Sequence, residues 1–333
     1  MDSKKYEQCN AAIAKELEAA GVAYSVVAGC VLARIEGRRG NLERCVVLRA
    51  KMSDVQCDVG DAHIAVLLSV IKSAQASQDF EGTLFGLFQS DAEGVDVRKF
   101  LAEEPFKDYK VDAILDGVMA PDLEVGWLGF CPGKFMASAD AMHFTVCGVG
   151  GTATARESVK DPVVALADLI IRLNTFNSEV CVVSVGSLQA KGSAECVPDA
   201  ASCDGVLHTF DEKLRARIKD MILGAVQEIE YKRTVEISAR FDERYPCVEN
   251  DKRLAYEAML LANSDGYKVK DLDRCYVADD FGYLAQQYPS LLYHLGVGHS
   301  AKCSHCAGLQ IEDRVLEIGQ DFMSQLALNI LNR

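Results

Sequence analysis

With 333 residues, 49% hydrophobic and 25% charged, the chain is long enough for two domains and can bury a core without disulfide or metal staples. A net charge of −14, with no basic stripe to neutralise phosphates, excludes a nucleic-acid partner and disfavours an anionic membrane surface. No uncharged apolar run approaches roughly 18 residues, and the polar start MDSKKYEQCNAA lacks a signal-peptide core, so we expect a cytoplasmic protein with no membrane span.

Residues 7–20 have the period of an amphipathic helix that ends at Gly21. Apolar runs at 30–36 and 44–50, joined by Gly37, Arg38, Arg39 and Gly40, read as a hairpin. Residues 61–76 are helical in period, with Ile64, Leu67, Leu68 and Ile71 on one face. A strand at Thr83–Phe88, a helix near 95–104 and a strand at Val111–Leu115 follow, and such alternation predicts a sheet covered on both faces. From about residue 140 the order changes. A strand at His143–Val149 precedes a helix that opens at Asp161 and Pro162, a fitting N-cap and first residue, and runs to Phe176. Strands at 180–187 and 203–209, a helix from Asp211 to about 229 and a strand at 234–240 complete a β-α-β-β-α-β unit of ferredoxin-like order. The remainder alternates again: helix 251–264, strand 274–277, short helix 280–287, strand 290–297, helix 312–331.

The compact unit therefore reads as an insertion. Residues 1–139 and 245–333 would form one discontinuous α/β domain, and 140–244 a second, hinged near Ala139 and Arg244. Thirteen cysteines, scattered singly through apolar runs (Cys30, Cys45, Cys147, Cys181), read as buried free thiols. His63 opens a helix with an apolar face and reads as a satisfied structural histidine; His143, His208 and His294 read as packing or hydrogen-bonded residues of strands. Cys303 and Cys306, near His299 and His305, form a lone CxxC without a second pair at zinc-finger spacing and read as ordinary loop residues.

Five stretches carry a resemblance in the right order: PDLEVGWLGFCPGKFMASAD (121–140), GVGGTATARESVKDPVVALADLI (148–170), VVSVGSLQAKGSAECVPDAASCDGVLHTFDEKLRARI (182–218), ADDFGYLAQQYPSLLYHLGVG (278–298) and IEDRVLEIG (311–319). They resemble the zinc-dependent aminoacylase and carboxypeptidase superfamily. Within it the likeness is to the N-acyl-amino-acid amidohydrolases: hippurate hydrolases, auxin-conjugate hydrolases and N-acetyl-diaminopimelate deacetylases. The resemblance implies a catalytic α/β domain split by a lid that commonly mediates dimerisation, hence a homodimer through residues 140–244. Members of this family usually carry a further N-terminal helix, beyond which this sequence starts.

The resemblance also implies a two-metal site held by cysteine, histidine and glutamate, with an open position for water. Its motifs are altered here. In Gln56–His63 the ligand cysteine is replaced by Asp58 and a ligand histidine by Gly60, while Asp61 and His63, supporting residues in the family, persist. In Gln89–Glu93 the general base is replaced by Ala92, and Glu93 keeps a ligand position. The histidine expected before Pro121 is Val118, the histidine that polarises the substrate carbonyl is Thr152, and the last ligand corresponds to His305. Losing a general base typically costs about 10²–10⁴ in rate, and losing ligands removes the activated water.

Three functions follow from this reading. The first is a pseudoenzyme that has lost most of its di-metal site but still binds a small acidic or acylated ligand, or another protein, and needs no cofactor. The second is a hydrolase with one zinc or manganese ion on Asp58, Glu93 and His305. The third is a structural partner of an intact paralogue. Where the family has an acidic residue after Arg49 and Ala50, this chain has Lys51, which either points into the old cleft and pairs with Asp58, Asp61 or Glu93 or extends to solvent at the strand end.

Overall fold

Apolar strands and amphipathic helices alternate along most of the chain, and this patterning builds the elements below. The computed structural model describes residues 3–52, 58–90, 97–152, 154, 155, 157–298 and 312–333, without the side chains of 3–6 and 58–61. In chain order the elements are α1 (Ser3–Ala19), β1 (Ala23–Val27), β2 (Cys30–Glu36), β3 (Arg44–Lys51), α2 (Asp58–Ser77), β4 (Thr83–Gln89), α3 (Val97–Ala102), β5 (Lys110–Ala120), β6 (Trp127–Phe130) and β7 (Gly133–Met136). Then come β8 (Ala139–Cys147), β9 (Gly151–Thr152), α4 (Pro162–Asn174), β10 (Cys181–Ala190), β11 (Cys196–Val197), β12 (Ala200–Thr209), α5 (Glu212–Arg233) and β13 (Glu236–Tyr245). The last are β14 (Val248–Asn250), α6 (Lys252–Ser264), β15 (Lys268–Asp271), α7 (Phe281–Ala285), β16 (Ser290–Gly296) and α8 (Asp313–Leu331).

The chain divides into two compact units: Met1–Gly133 with Glu249–Asp273 and Tyr283–Arg333, and Lys134–Val248 with Arg274–Gly282. The first holds an eight-stranded sheet in the order β1-β2-β4-β3-β5-β16-β6-β15. Strands β4, β3, β5 and β16 run parallel, so their C-terminal ends lie together. Leu67 and Ile71 of α2, Phe322 and Leu326 of α8, Leu17 of α1 and Leu254 of α6 share one buried cluster with Leu48, Leu115 and Leu295 of the sheet. Gly86 of β4 admits the close approach of α2, since a Cβ there would lie 2.8 Å from Ile71.

The expected hairpin of 30–36 with 44–50 does not form. β4 lies between β2 and β3, antiparallel to one and parallel to the other. The hairpin is instead β1 with β2, turned by Ala28 and Gly29 at φ 47° and 83°, a two-residue loop whose twist suits paired strands. A Gly-bounded gap between apolar runs cannot distinguish a turn from a crossover, because the intervening strand is supplied by sequence forty residues away.

The second unit holds β10-β12-β8-β13, antiparallel throughout. α4 and α5 pack on it through Leu166, Leu169, Leu173, Ile218 and Ile222 against Met142, Phe144 and Val146. Asp161 caps α4, accepting from the Val163 and Val164 amides at 2.8 and 3.2 Å, and Asp211 caps α5, accepting from Leu214 at 2.9 Å. The expected strand at 274–277 is absent: Cys275 makes an isolated bridge to Met136, and the Tyr276 hydroxyl donates to the Glu179 carbonyl at 2.9 Å. These contacts place 274–282 in the second unit, which also takes 134–139 and 245–248 beyond the expected limits of 140 and 244.

Candidate functional site

Open α/β sheets bind ligands at the C-terminal ends of their parallel strands. Here those ends carry a buried polar layer. Arg49 of β3, Gln89 of β4 and Asp116 of β5 are each at most 1% exposed. The register of β3 sets Arg49 beside Asp116. The Arg49 Nε donates to the Gln89 Oε1 at 2.8 Å, and its Nη1 donates to the Asp116 Oδ2. His63, early in α2, places its Nε2 3.0 Å from the other Asp116 oxygen. That spacing is within ion-pair range, but the alignment fails for a hydrogen bond, so neither buried atom has a hydrogen-bond partner among the described residues. His63 was expected to be a satisfied structural histidine; its Nε2 contacts Asp116 without a hydrogen bond.

Next to this layer, burial pushes the Tyr293 hydroxyl up from its ordinary value, with the Asp116 charge adding to it. Burial also lowers His294 to about 4, against the opposing pull of Asp122 and Asp116. His294 of β16 is the register partner of Val118, the half-buried apolar residue at the expected histidine position.

The structure treats the other sequence candidates unevenly. Lys51 ends β3, half-buried and in register with Gln89. Its expected pairing involves the side chains of Asp58, Asp61 and Glu93, which lie outside the described residues. Ala92 and His305 lie outside them too, as do Cys303 and Cys306. Gly60 lies within α2. Thr152 is exposed on β9, in the second unit, where it pairs with Cys196. Asp116 was missed because the expected strand stopped at Leu115; the strand runs on to Ala120, and Arg49 makes the charge tolerable inside it. A lone carboxylate within the apolar run Ala113–Met119 was the available signal. Two further histidines have polar partners in the second unit. His143 lies 2.7 Å from Asp204 and 3.2 Å from Asp242, and His208 lies 2.9 Å from the Ser138 carbonyl. Cys30, Cys45 and Cys181 are buried thiols as expected, but Cys147 is exposed, because it falls on the opposite sheet face from buried Val146.

No protein-family model matches the chain. It is 26% identical over 267 residues to an N-acetyldiaminopimelate deacetylase of Exiguobacterium sibiricum, covering 77% of this chain and 70% of that protein. It is 27% identical over 276 residues to the corresponding Bacillus pumilus protein, covering 79% and 72%. In sequence the chain is thus similar to N-acetyldiaminopimelate deacetylases. Among solved structures, an aminohydrolase from methicillin-resistant Staphylococcus aureus matches with a TM-score of 0.87 at 18% identity, over 99% of this chain and 92% of that one. A dinuclear metal-binding peptidase from Bacillus subtilis matches at 0.84 and 21%, over 97% and 92%. At these identities the structural likeness is one of fold.

Of the positions that the resemblance marks as metal ligands, two are described, and the side chains of Asp58, Glu93 and His305 lie outside the described residues. Gly60 has no side chain and Val118 has no donor atom. Among the described residues no three histidine, cysteine or acidic side chains group as ligands. The Asp116 carboxylate, whose Oδ1 faces the His63 Nε2, is shared with the Arg49 guanidinium.

Proposed function

We propose that the chain is a non-hydrolysing amidohydrolase relative that binds a small acylated or acidic ligand at the C-terminal ends of β3, β4, β5 and β16. Residues 140–244 act as its lid, a ferredoxin-like β-α-β-β-α-β insertion, and the protein works in the cytoplasm. The observation that carries the reading is that Gly60 and Val118, at expected ligand positions, have no ligand atom. The Asp116 carboxylate buried at these strand ends is neutralised by the Arg49 guanidinium. A fixed cation balances charge without supplying an activated water. The deacetylase relatives suggest the ligand class, an N-acetylated amino acid.

Metal analysis of protein purified without chelator tests this directly. The expected content is well below one zinc or manganese per chain, and Ala92→Glu alone stays inactive because base and ligands act as a unit. Two tightly held ions per chain, or activity restored by that single substitution, would overturn it.

A further inference from the structure

Sheet edges expose unpaired backbone groups, and proteins commonly guard them with charge, proline or bulges. Three of the four edges of the two main sheets are guarded. β15 reads Lys-Val-Lys-Asp, and β13 carries Glu236, Arg240, Asp242, Glu243 and Arg244. β10 is broken by a bulge between Val185 and Ser187. β1 has none of these devices: it reads Ala-Tyr-Ser-Val-Val, and Val26 is 59% exposed.

The register of β1 gives this edge a defined symmetry. The two-residue turn at Ala28 and Gly29 makes Val27 and Cys30 a pair that exchanges both backbone bonds. Alternation then sends the N–H and C=O groups of Ser25 and Ala23 inward to β2, and those of Tyr24 and Val26 outward. Among the described residues, Tyr24 and Val26 have no backbone partner on that side. Two outward residues separated by one inward residue are self-complementary. About a two-fold axis through Ser25, Tyr24 meets the partner's Val26 and Val26 meets the partner's Tyr24, with both bonds exchanged in each pair. The side chains then form aromatic to β-branched cross-strand pairs, a favourable combination. The Tyr24 hydroxyl already donates to Glu18 at 2.7 Å, which fixes its ring. The inward-register residues Ser25 and Ala23 are small and leave the opposite face of the joint unobstructed.

We infer that β1 is an interface with a second copy of this chain, joining two eight-stranded sheets edge to edge about Ser25. A closed isologous contact of this kind needs no other partner. Five residues per strand form a small contact, so the association is weak and concentration-dependent.

Sedimentation velocity of the full chain across the micromolar range tests it, with two substitutions. Val26→Pro removes an outward N–H and blocks the edge while leaving the bonds to β2 intact. Val26→Lys places a charge there without changing the backbone. Wild type should show a reversible monomer–dimer equilibrium, and each variant should weaken it by about tenfold or more with unchanged circular dichroism. Should Val26→Pro disturb the fold, Val26→Lys alone decides. A wild type that stays monomeric throughout overturns the inference. So does a dimer that survives both variants, as contact through the exposed Val164 and Ile171 of α4 would give, or a dimer of wild type lost only on Ile171→Glu.

Discussion

Each unit buries a carboxylate against an arginine, but the two are finished differently. In the second unit the Asp140 oxygens accept from the Arg215 Nε and Nη2 at 2.8 and 2.7 Å, and Lys219 lies 3.0 Å away. Glu212 takes the remaining Arg215 Nη1 at 2.9 Å and also accepts from the Cys247 amide at 2.8 Å. Lys219 continues to Glu243 at 2.7 Å. In the first unit Asp116 uses one oxygen on Arg49, while its other oxygen and the His63 Nε2 face each other without a hydrogen-bond partner among the described residues. A closed network of paired charges fits one geometry and rigidifies its surroundings. An open one costs stability and is the kind of defect that functional sites retain. The closed network ties α5 to β8 and the segment before β14; the open one sits where α/β sheets bind ligands.

The largest expected effect is on the closed network. Asp140→Asn leaves a single oxygen for Arg215 and Lys219 and turns an amide toward a guanidinium, so it should cost about 3–5 kcal/mol, the usual result of breaking a buried ion pair. Asp116→Asn likewise takes a charge partner from the buried Arg49 guanidinium, but Asp116 has fewer bonds to lose, so it should cost about 3 kcal/mol, the lower end of that range. Urea denaturation of both variants measures the difference, and equal losses would show that the two clusters are equivalent.

Acid separates the units next. His294 is held neutral by burial at about 4, below the usual histidine value. Between roughly pH 6.5 and that value the unfolded chain takes up a proton that the folded chain refuses, so stability in the first unit falls with pH. At full extent the loss is about 3 kcal/mol. In the second unit Lys134 holds Asp211 low and Lys219 holds Glu243 low. Their stabilisation is present above the ordinary carboxylate range and is lost only as pH falls through it and below. The sole tryptophan, Trp127, lies in the first unit with the Lys268 ammonium 5.3 Å from its ring centre. Its fluorescence should report loosening at a higher pH than hydrogen exchange in β8 and β12. Simultaneous transitions would mean His294 contributes little.

The smallest effect is chemical. Burial raises the Cys45 and Cys203 thiols to about 12 and about 11, so both should resist alkylation in the native protein. Exposed Cys147 and Cys196 should react first, which peptide mapping resolves.

Local rules made much of this fold readable. Asp161 with Pro162, and Asp211, marked helix starts because capping needs only neighbouring atoms. The parallel strand ends were less legible. β4 entered between β2 and β3 from distant sequence, and Asp116 became visible only once the register set it beside Arg49. His63 looked ordinary because orphaned atoms are a matter of angle, not of residue type. The exposed Cys147 followed from which face of β8 was covered, something a single apolar run does not reveal.

Titration calorimetry with an N-acetylated amino acid, followed by analysis of the same sample for released acetate, tests the central claim most directly. With zinc or manganese present, the expected result is saturable heat of binding and intact ligand recovered at the end. Acetate appearing at an ordinary enzyme rate, on the order of 10 s⁻¹, would contradict it.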